Sequence, residues 1–318
     1  MKNIHTKVSI IGAGSVGSTF AFHLMSLGIA REIVLVDKDA DKAAGQSMDL
    51  NHGCSFTPPV NIYSAGFEAC AGSDIVVLTA GASQKKGQSR TDLVQKNTDI
   101  FKQIIPQITK HAADAILLVV TNPVDILSYV TMKISGLPPE KVIGSGTVLD
   151  TSRFRYLLSE HCGVDARNIH AYIIGEHGDT ELPVWSNANI GGVRIERYCP
   201  TCKNRSGCDR EKELRKLFEN VKKAAYRIID AKGATYYAIA LALGRIVVAM
   251  LRNESSVLPV STLINGYYGI DDVYLSLPSV VGKNGAEQFL RLDLSEEERE
   301  KLQHSAGVMK KIIRDIDM

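Results

Sequence analysis

A short glycine-rich run constrains this chain more than any other feature. Lys7 to Ile11 reads as a strand, and it passes directly into Gly12-Ala13-Gly14-Ser15-Val16-Gly17. An amphipathic stretch to about Ser26 reads as a helix, and a second strand, Glu32 to Val36, ends on Asp37. Glycines spaced G-x-G-x-x-G between a strand and a helix, with an acid closing the next strand, make a dinucleotide-binding pattern. Gly12 permits the tight turn, Gly14 lets backbone touch a pyrophosphate, and Gly17 lets helix pack on strand. The helix start offers free N–H groups to the phosphates. Asp37 would accept hydrogen bonds from the ribose hydroxyls and repel a 2′-phosphate, which favours NAD over NADP.

The alternation continues. A helix is expected over about Lys38 to His52, a short strand near Val60 to Tyr63 and a strong strand over Asp74 to Thr79. A helix from about Asp92 to His111 and a strand over Ala115 to Val120 follow. This predicts an α/β fold, a Rossmann-type doubly wound parallel sheet with helices on both faces. Ligands bind such sheets beyond the carboxyl ends of the strands. Those ends carry Gly12, Asp37, Thr79-Ala80-Gly81 and Thr121-Asn122-Pro123.

The second half changes character. Irregular structure and strands are expected around Trp185, and a long helical region from about Glu211 to Asn253, broken at Gly233. Antiparallel strands over Val257 to Ile264 and Val273 to Val281 precede a last helix, Ser295 to about Asp315, whose Ser295-Glu-Glu-Glu298 start has capping-box form. We therefore expect two domains: a dinucleotide-binding one over 1–145 and a mixed α+β substrate domain over 146–318. A length of 318 residues suits one large or two moderate domains.

Composition excludes several classes. Hydrophobic residues at 45% and charged ones at 23% supply an ordinary globular core. A net charge of +2 favours neither nucleic acid, an anionic membrane nor an acidic partner. No apolar run is long enough to span a bilayer, and a strand so near the N-terminus leaves no room for a signal peptide. Six cysteines in this length do not make a disulfide framework, so a cytoplasmic protein is expected. Cys199-Pro-Thr-Cys202 with Cys208 is a partial zinc pattern lacking a nearby fourth ligand. It reads as a surface loop, and no metal is expected.

Candidate chemistry gathers at a few positions. His177 lies in Gly175-Glu-His-Gly-Asp179 after the apolar run Ala171 to Ile174. A histidine can give and take a proton near neutrality, but one at a strand end is more often structural. Asp150 and Arg153 are three apart and share a face of a helix starting near Asp150. They could hold a histidine and a carboxylate substrate, or be an N-cap or first-turn acid and its surface partner. The polar stretch from Gly81 to Arg90 reads as a lid or a solvated loop. Asn122 could face a nicotinamide or a substrate oxygen, or simply initiate a turn with Pro123.

Taken together, these motifs resemble those of the lactate/malate dehydrogenase family, in its bacterial L-lactate dehydrogenase form, over essentially the whole chain. The carrying residues are Gly12–Gly17 with Asp37, Gln84…Ser89-Arg90, Asn122-Pro-Val-Asp125, Asp150-Thr-Ser-Arg153, Gly175–Asp179 and Ala234-Thr235-Tyr-Tyr237. The resemblance implies that NADH reduces a 2-oxo acid, with His177 as proton donor and Asp150 orienting it. It implies that Arg153 clamps the substrate carboxylate, that Arg90 arrives on loop closure to polarise the ketone, and that Gln84, Asn122, Asp125 and Thr235 line the pocket. Gly12, Gly14, Val16, Gly17, Asp37, Lys42, Gly81, Ala82, Thr121, Asn122 and Ser145 resemble cofactor contacts. A homotetramer is implied too, and Arg155 with His170 resembles a fructose 1,6-bisphosphate site that non-allosteric relatives also carry.

Within the family, malate enzymes place an arginine where Gln84 stands. A neutral glutamine would leave a second substrate carboxylate buried and unpaired, costing roughly several kcal/mol, so pyruvate is expected over oxaloacetate. A malate or other 2-oxo-acid dehydrogenase is the nearest alternative. A binding or structural protein without catalysis is the other, but mere binding needs none of Arg90, Asp150, Arg153 and His177. Departures from the pattern are Ser83, where vertebrate relatives have arginine, and Lys85-Lys86, which lacks the proline common in bacterial relatives.

Overall fold

The computed structural model describes residues 6–82, 90–198 and 209–318. Strands β1 (Lys7–Ile11), β2 (Glu32–Val36), β3 (Asn61–Ser64), β4 (Ile75–Leu78), β5 (Ile116–Val119) and β6 (Val142–Gly144) pair in parallel in the order 3-2-1-4-5-6. The order reverses between β1 and β4, which is where a doubly wound sheet opens a crevice for a ligand. Helices α1 (Ser15–Leu27), α2 (Ala40–His52), α3 (Arg90–His111) and α4 (Val124–Ser135) lie between these strands in the chain.

Both faces of the sheet are buried, so the strands are nearly all apolar. Alternate residues turn to opposite sides. Ile11, Val34, Val36, Val76, Leu78, Leu117 and Val119 pack with Phe101 and Ile105 of α3 and Ile126, Leu127 and Val130 of α4. Val8, Ile10, Ile33, Leu35, Val77 and Leu118 pack with Phe20 and Leu24 of α1. Helix α4 escapes the sequence pattern above because it is buried on nearly every side and has no polar stripe to give it a period.

Beyond α5 (Val148–Cys162) come the short strands β7 (Ile169–His170), β8 (Ile173–Ile174), β9 (Leu182–Pro183), β10 (Asn189–Ile190) and β11 (Val193–Arg194), then α6 (Arg210–Lys232) and α7 (Tyr237–Leu251). A separate cluster of Phe154, Leu158, Ile169, Ile173, Ile190, Leu217 and Val221 seals α5 and α6 onto the short strands. The chain closes with β12 (Ser256–Ile264), β13 (Val273–Gly282), β14 (Gly285–Phe289) and α8 (Glu296–Asp315), and the capping box at Ser295 and Glu298 is formed.

The final strands do not make a sheet of their own. β12 pairs antiparallel with β6 at Ser261 and Gly144, and β13 and β14 follow, giving one nine-stranded sheet. Unpaired, β6 would present an open strand edge. A three-residue Val-Ile-Gly strand is too short for its pattern to announce the pairing.

Candidate active site

The Gly12 turn is fixed by sterics. Gly12 has φ of 109°, and a Cβ there would lie 2.7 Å from the Ala80 nitrogen. A Cβ on Gly17 would lie 1.9 Å from the Gly12 carbonyl oxygen, so β1 and α1 approach only through glycine. Gly14, by contrast, faces open space, with nothing within 4 Å of an ideal Cβ. The start of α1 carries no side-chain cap, so its N–H groups are free for an anion. Asp37 closes β2 and takes the Ala13 N–H at 2.6 Å and the Asp39 N–H at 3.0 Å. These donors, this open face and this acid fit a dinucleotide.

The neighbouring strand ends are tied by a residue the sequence reading missed. Asn97 of α3, fully buried, accepts from the Ala82 N–H at 2.8 Å and donates to the Asn122 carbonyl at 2.8 Å. It thereby sets the spacing between the β4 and β5 ends. Thr121 bonds back to the Ala80 carbonyl at 2.8 Å, and its Cγ2 would lie 2.3 Å from a Cβ on Gly81. The Asn122 side chain is exposed, and Ser145, just past β6, is buried with its N–H on the Val119 carbonyl. Lys42 is exposed on the first turn of α2.

His177 is held from three directions. Gly175, with φ of 89°, exchanges both backbone hydrogen bonds with Ser276 of β13, at 3.0 and 2.9 Å. The Glu176 N–H meets Ser305 of α8 at 2.9 Å, and the His177 N–H meets Asp125 of α4 at 2.7 Å. Asp125 is buried, and its other oxygen accepts from Ser261 of β12. Its side chain thus supports the backbone of His177.

The imidazole faces α5. Thr147 donates to the Ile173 carbonyl at 2.6 Å, and Thr151 accepts the Ile173 N–H at 3.0 Å. Those threonines flank Asp150 in the chain, so docking β8 brings Asp150 Oδ2 to His177 Nδ1 at 2.6 Å. Asp150 Oδ1 accepts from Arg153 Nη1 at 2.7 Å. With Nδ1 engaged, Nε2 is the nitrogen left to meet a ligand. Helix α5 begins at Val148, so Asp150 sits within its first turn and is no N-cap.

The charges reinforce one another. Burial opposes charge on His177, but the Asp150 carboxylate overrides it by charge and hydrogen bond, aided by Glu181 and Asp125, and raises the imidazole to about 9. Burial likewise pushes Asp150 up, yet His177 and Arg153 outweigh it and leave its carboxyl below the usual range. Asp125 goes the other way: burial outweighs its Ser261 and His177 hydrogen bonds and lifts it to about 6. At neutral pH this is an imidazolium beside an ionised aspartate and a partly buried arginine. Such a group can protonate a ligand oxygen while the guanidinium holds an adjacent anion.

Comparison with known proteins decides the family. The lactate/malate dehydrogenase NAD-binding domain model matches residues 6–144, and the model of that family's alpha/beta C-terminal domain matches 147–317. The chain belongs to the lactate/malate dehydrogenase family. It is an NAD-dependent 2-hydroxy-acid dehydrogenase. An L-lactate dehydrogenase of Acetivibrio thermocellus is 58% identical over 312 residues, covering 98% of each chain. One from Thermoanaerobacterium saccharolyticum is 54% identical over 313 residues, 98% of this chain and all of that one. Among solved structures, a minor L-lactate dehydrogenase from Enterococcus mundtii in a ligand-bound form superposes with a TM-score of 0.94 at 40% identity, covering 98% and 99% of the two chains.

Other expected site residues of the dehydrogenase are spread more widely. Thr235 is half-buried in the link between α6 and α7. Arg90 opens α3. Gln84 and its loop, and Cys199, Cys202 and Cys208, lie outside the described residues. Arg155 donates to the Ala171 carbonyl at 3.0 Å and stacks over Tyr172, so its guanidinium lies beside the exposed His170 strand. Sequence reasoning missed Asn97, Thr147, Thr151 and Ser261. A lone polar residue at a core position of an amphipathic helix is the signal that Asn97 offered.

Proposed function

We propose that this dehydrogenase interconverts pyruvate and (S)-lactate, the last step of lactate fermentation. The observation that carries the reading is the Arg153–Asp150–His177 chain of hydrogen bonds within a chain so close to L-lactate dehydrogenases. Residues 1–145 hold the cofactor, through Gly12, Gly14, Val16, Gly17, Asp37, Lys42, Gly81, Ala82, Thr121, Asn122 and Ser145. Residues 146–318 present Asp150, Arg153 and His177 to the substrate. When bound, NADH supplies the hydride.

The chain's own residues do the rest. Arg153 pairs with the substrate carboxylate by two parallel hydrogen bonds, which fixes the ketone towards His177. His177 gives its Nε2 proton to the ketone oxygen and takes it back in lactate oxidation. Asp150 keeps the proton on the imidazole until then and holds the ring in place. Arg90 polarises the ketone in a site from which water is excluded. Asn122 and Thr235 line the pocket, and Asp125 acts through the His177 backbone. Gln84 leaves room for a methyl group and offers no charge to a second carboxylate.

Loss of NADH absorbance on adding pyruvate tests this, with oxaloacetate and longer 2-oxo acids in parallel and His177→Ala as the inactive control. Preference for oxaloacetate would overturn it. We further propose a cytoplasmic homotetramer in which Arg155 and His170 bind fructose 1,6-bisphosphate as an activator, a guanidinium and an imidazole both being able to donate to phosphate oxygens. Pyruvate saturation curves that coincide with and without the bisphosphate would exclude activation. No helix among the described residues is long and apolar enough to cross a membrane.

A further inference from the structure

Glu181 follows His177 by four residues and has no part in the mechanism above. The residue is 7% exposed, and its Oε1 is buried without a hydrogen-bond partner. The buried acids nearby are bonded in full view of their neighbours: Glu176 accepts from Thr180, and Glu298 accepts from Ser186 and from the Ser295 N–H. A carboxyl kept only for structure would be satisfied in the same way. Instead, one oxygen of Glu181, one of Asp150 and one imidazole nitrogen of His177 lie within 4.8 Å of one another.

We propose that Glu181 is a positioning residue of the reaction, a second buried acid beside His177 that sets the pH range over which the imidazole keeps its proton. The proposal rests on His177 being the proton donor. Among the described residues Glu181 makes no hydrogen bond to Arg153, and it acts through the charge it presents to the imidazole.

The surrounding charges fix how it acts. Asp150 and Arg153 face it from α5, His177 from its own turn and Lys222 from α6. Asp125 on α4 acts on His177 from behind. On its outer side Glu181 lines a cleft of about 940 Å³ between α6 and α8, where Lys301 and His304 also stand and through which it can exchange protons with water. Burial and the Asp150 charge raise the Glu181 carboxyl to about 8, against the pull of His177, Lys222 and Arg153. Glu181 is therefore a neutral acid at neutral pH. Once it ionises at alkaline pH, its charge favours the protonated imidazole and holds that proton on.

Glu181→Gln keeps the volume and removes the charge. In pyruvate reduction the decline of kcat/KM at high pH should move acid by about one unit, while the variant and wild type coincide below about pH 7, where Glu181 is already neutral. Glu181→Asp should restore most of the shift. An unmoved decline, or a loss of equal size at every pH, overturns the proposal. The wild-type enzyme gives a test independent of turnover: the ¹⁵N shifts of the His177 ring should titrate in two steps, one from the imidazole itself and one from Glu181. A single step overturns it. A wild type that does not reduce pyruvate at all would instead overturn the proposed function.

Discussion

Asp150 and His177, 27 positions apart in sequence, meet at 2.6 Å because two threonines flanking Asp150 grip the backbone of Ile173. The contact is a property of docking β8 on α5, and it engages Nδ1 and leaves Nε2 for the proposed proton transfer.

The pH dependence of the two directions follows from that contact. With the imidazole raised to about 9, kcat/KM for pyruvate should be flat through neutrality and fall about tenfold per unit above that value. Lactate oxidation needs the neutral ring and should rise over the same range. Asp150→Asn removes the main support and leaves burial, which disfavours the charged ring. The decline should then move acid by about two units or more, as pH–rate profiles in both directions would record.

Arg153→Lys keeps a positive charge and loses the paired donors. Hydrogen bonds to charged groups contribute about 1.5–3 kcal/mol each. The expected loss in kcat/KM for pyruvate is therefore roughly 10- to 100-fold, expressed mainly in KM. A KM unchanged within error would show that the carboxylate binds elsewhere.

Gln84→Arg should raise kcat/KM for oxaloacetate relative to pyruvate by roughly 100-fold or more, since it gives the second carboxylate a partner worth a few kcal/mol. Measuring both acids on both enzymes at one pH checks it. An unchanged ratio would remove Gln84 as the selector.

Asn97→Ala should orphan the Ala82 N–H and the Asn122 carbonyl and leave a cavity under the β4 and β5 ends. The expected cost is about 1–3 kcal/mol in stability. NADH affinity should weaken as well, because both tied loops belong to the expected cofactor site. Denaturant titration and NADH fluorescence titration read the two effects separately.

Legibility in the sequence followed the range of the interactions. Gly12, Gly17 and Asp37 could be read because a strand–turn–helix imposes its residue types within a few positions. The parallel sheet could be read from its rhythm. The pairing of β12 with β6 could not, because it rests on a three-residue strand whose partner lies more than a hundred positions away. Asp150, Arg153 and His177 were separately ambiguous and acquired meaning only together. Asn97, Ser261 and Glu181 stayed hidden, since an asparagine, a serine or a glutamate states nothing about which distant backbone group or charge it will face.

The strand that carries Ser261 has a mechanical consequence. Because β12 continues the sheet of β1–β6, the nine strands act as one plate, and Ser261 bolts that plate to Asp125 and so to the backbone of His177. Swinging the two halves of the chain apart as rigid bodies would tear the β6–β12 seam. Enclosure of a substrate must therefore come from pieces smaller than a domain moving over a fixed floor, and His177, the proposed proton donor, belongs to the floor.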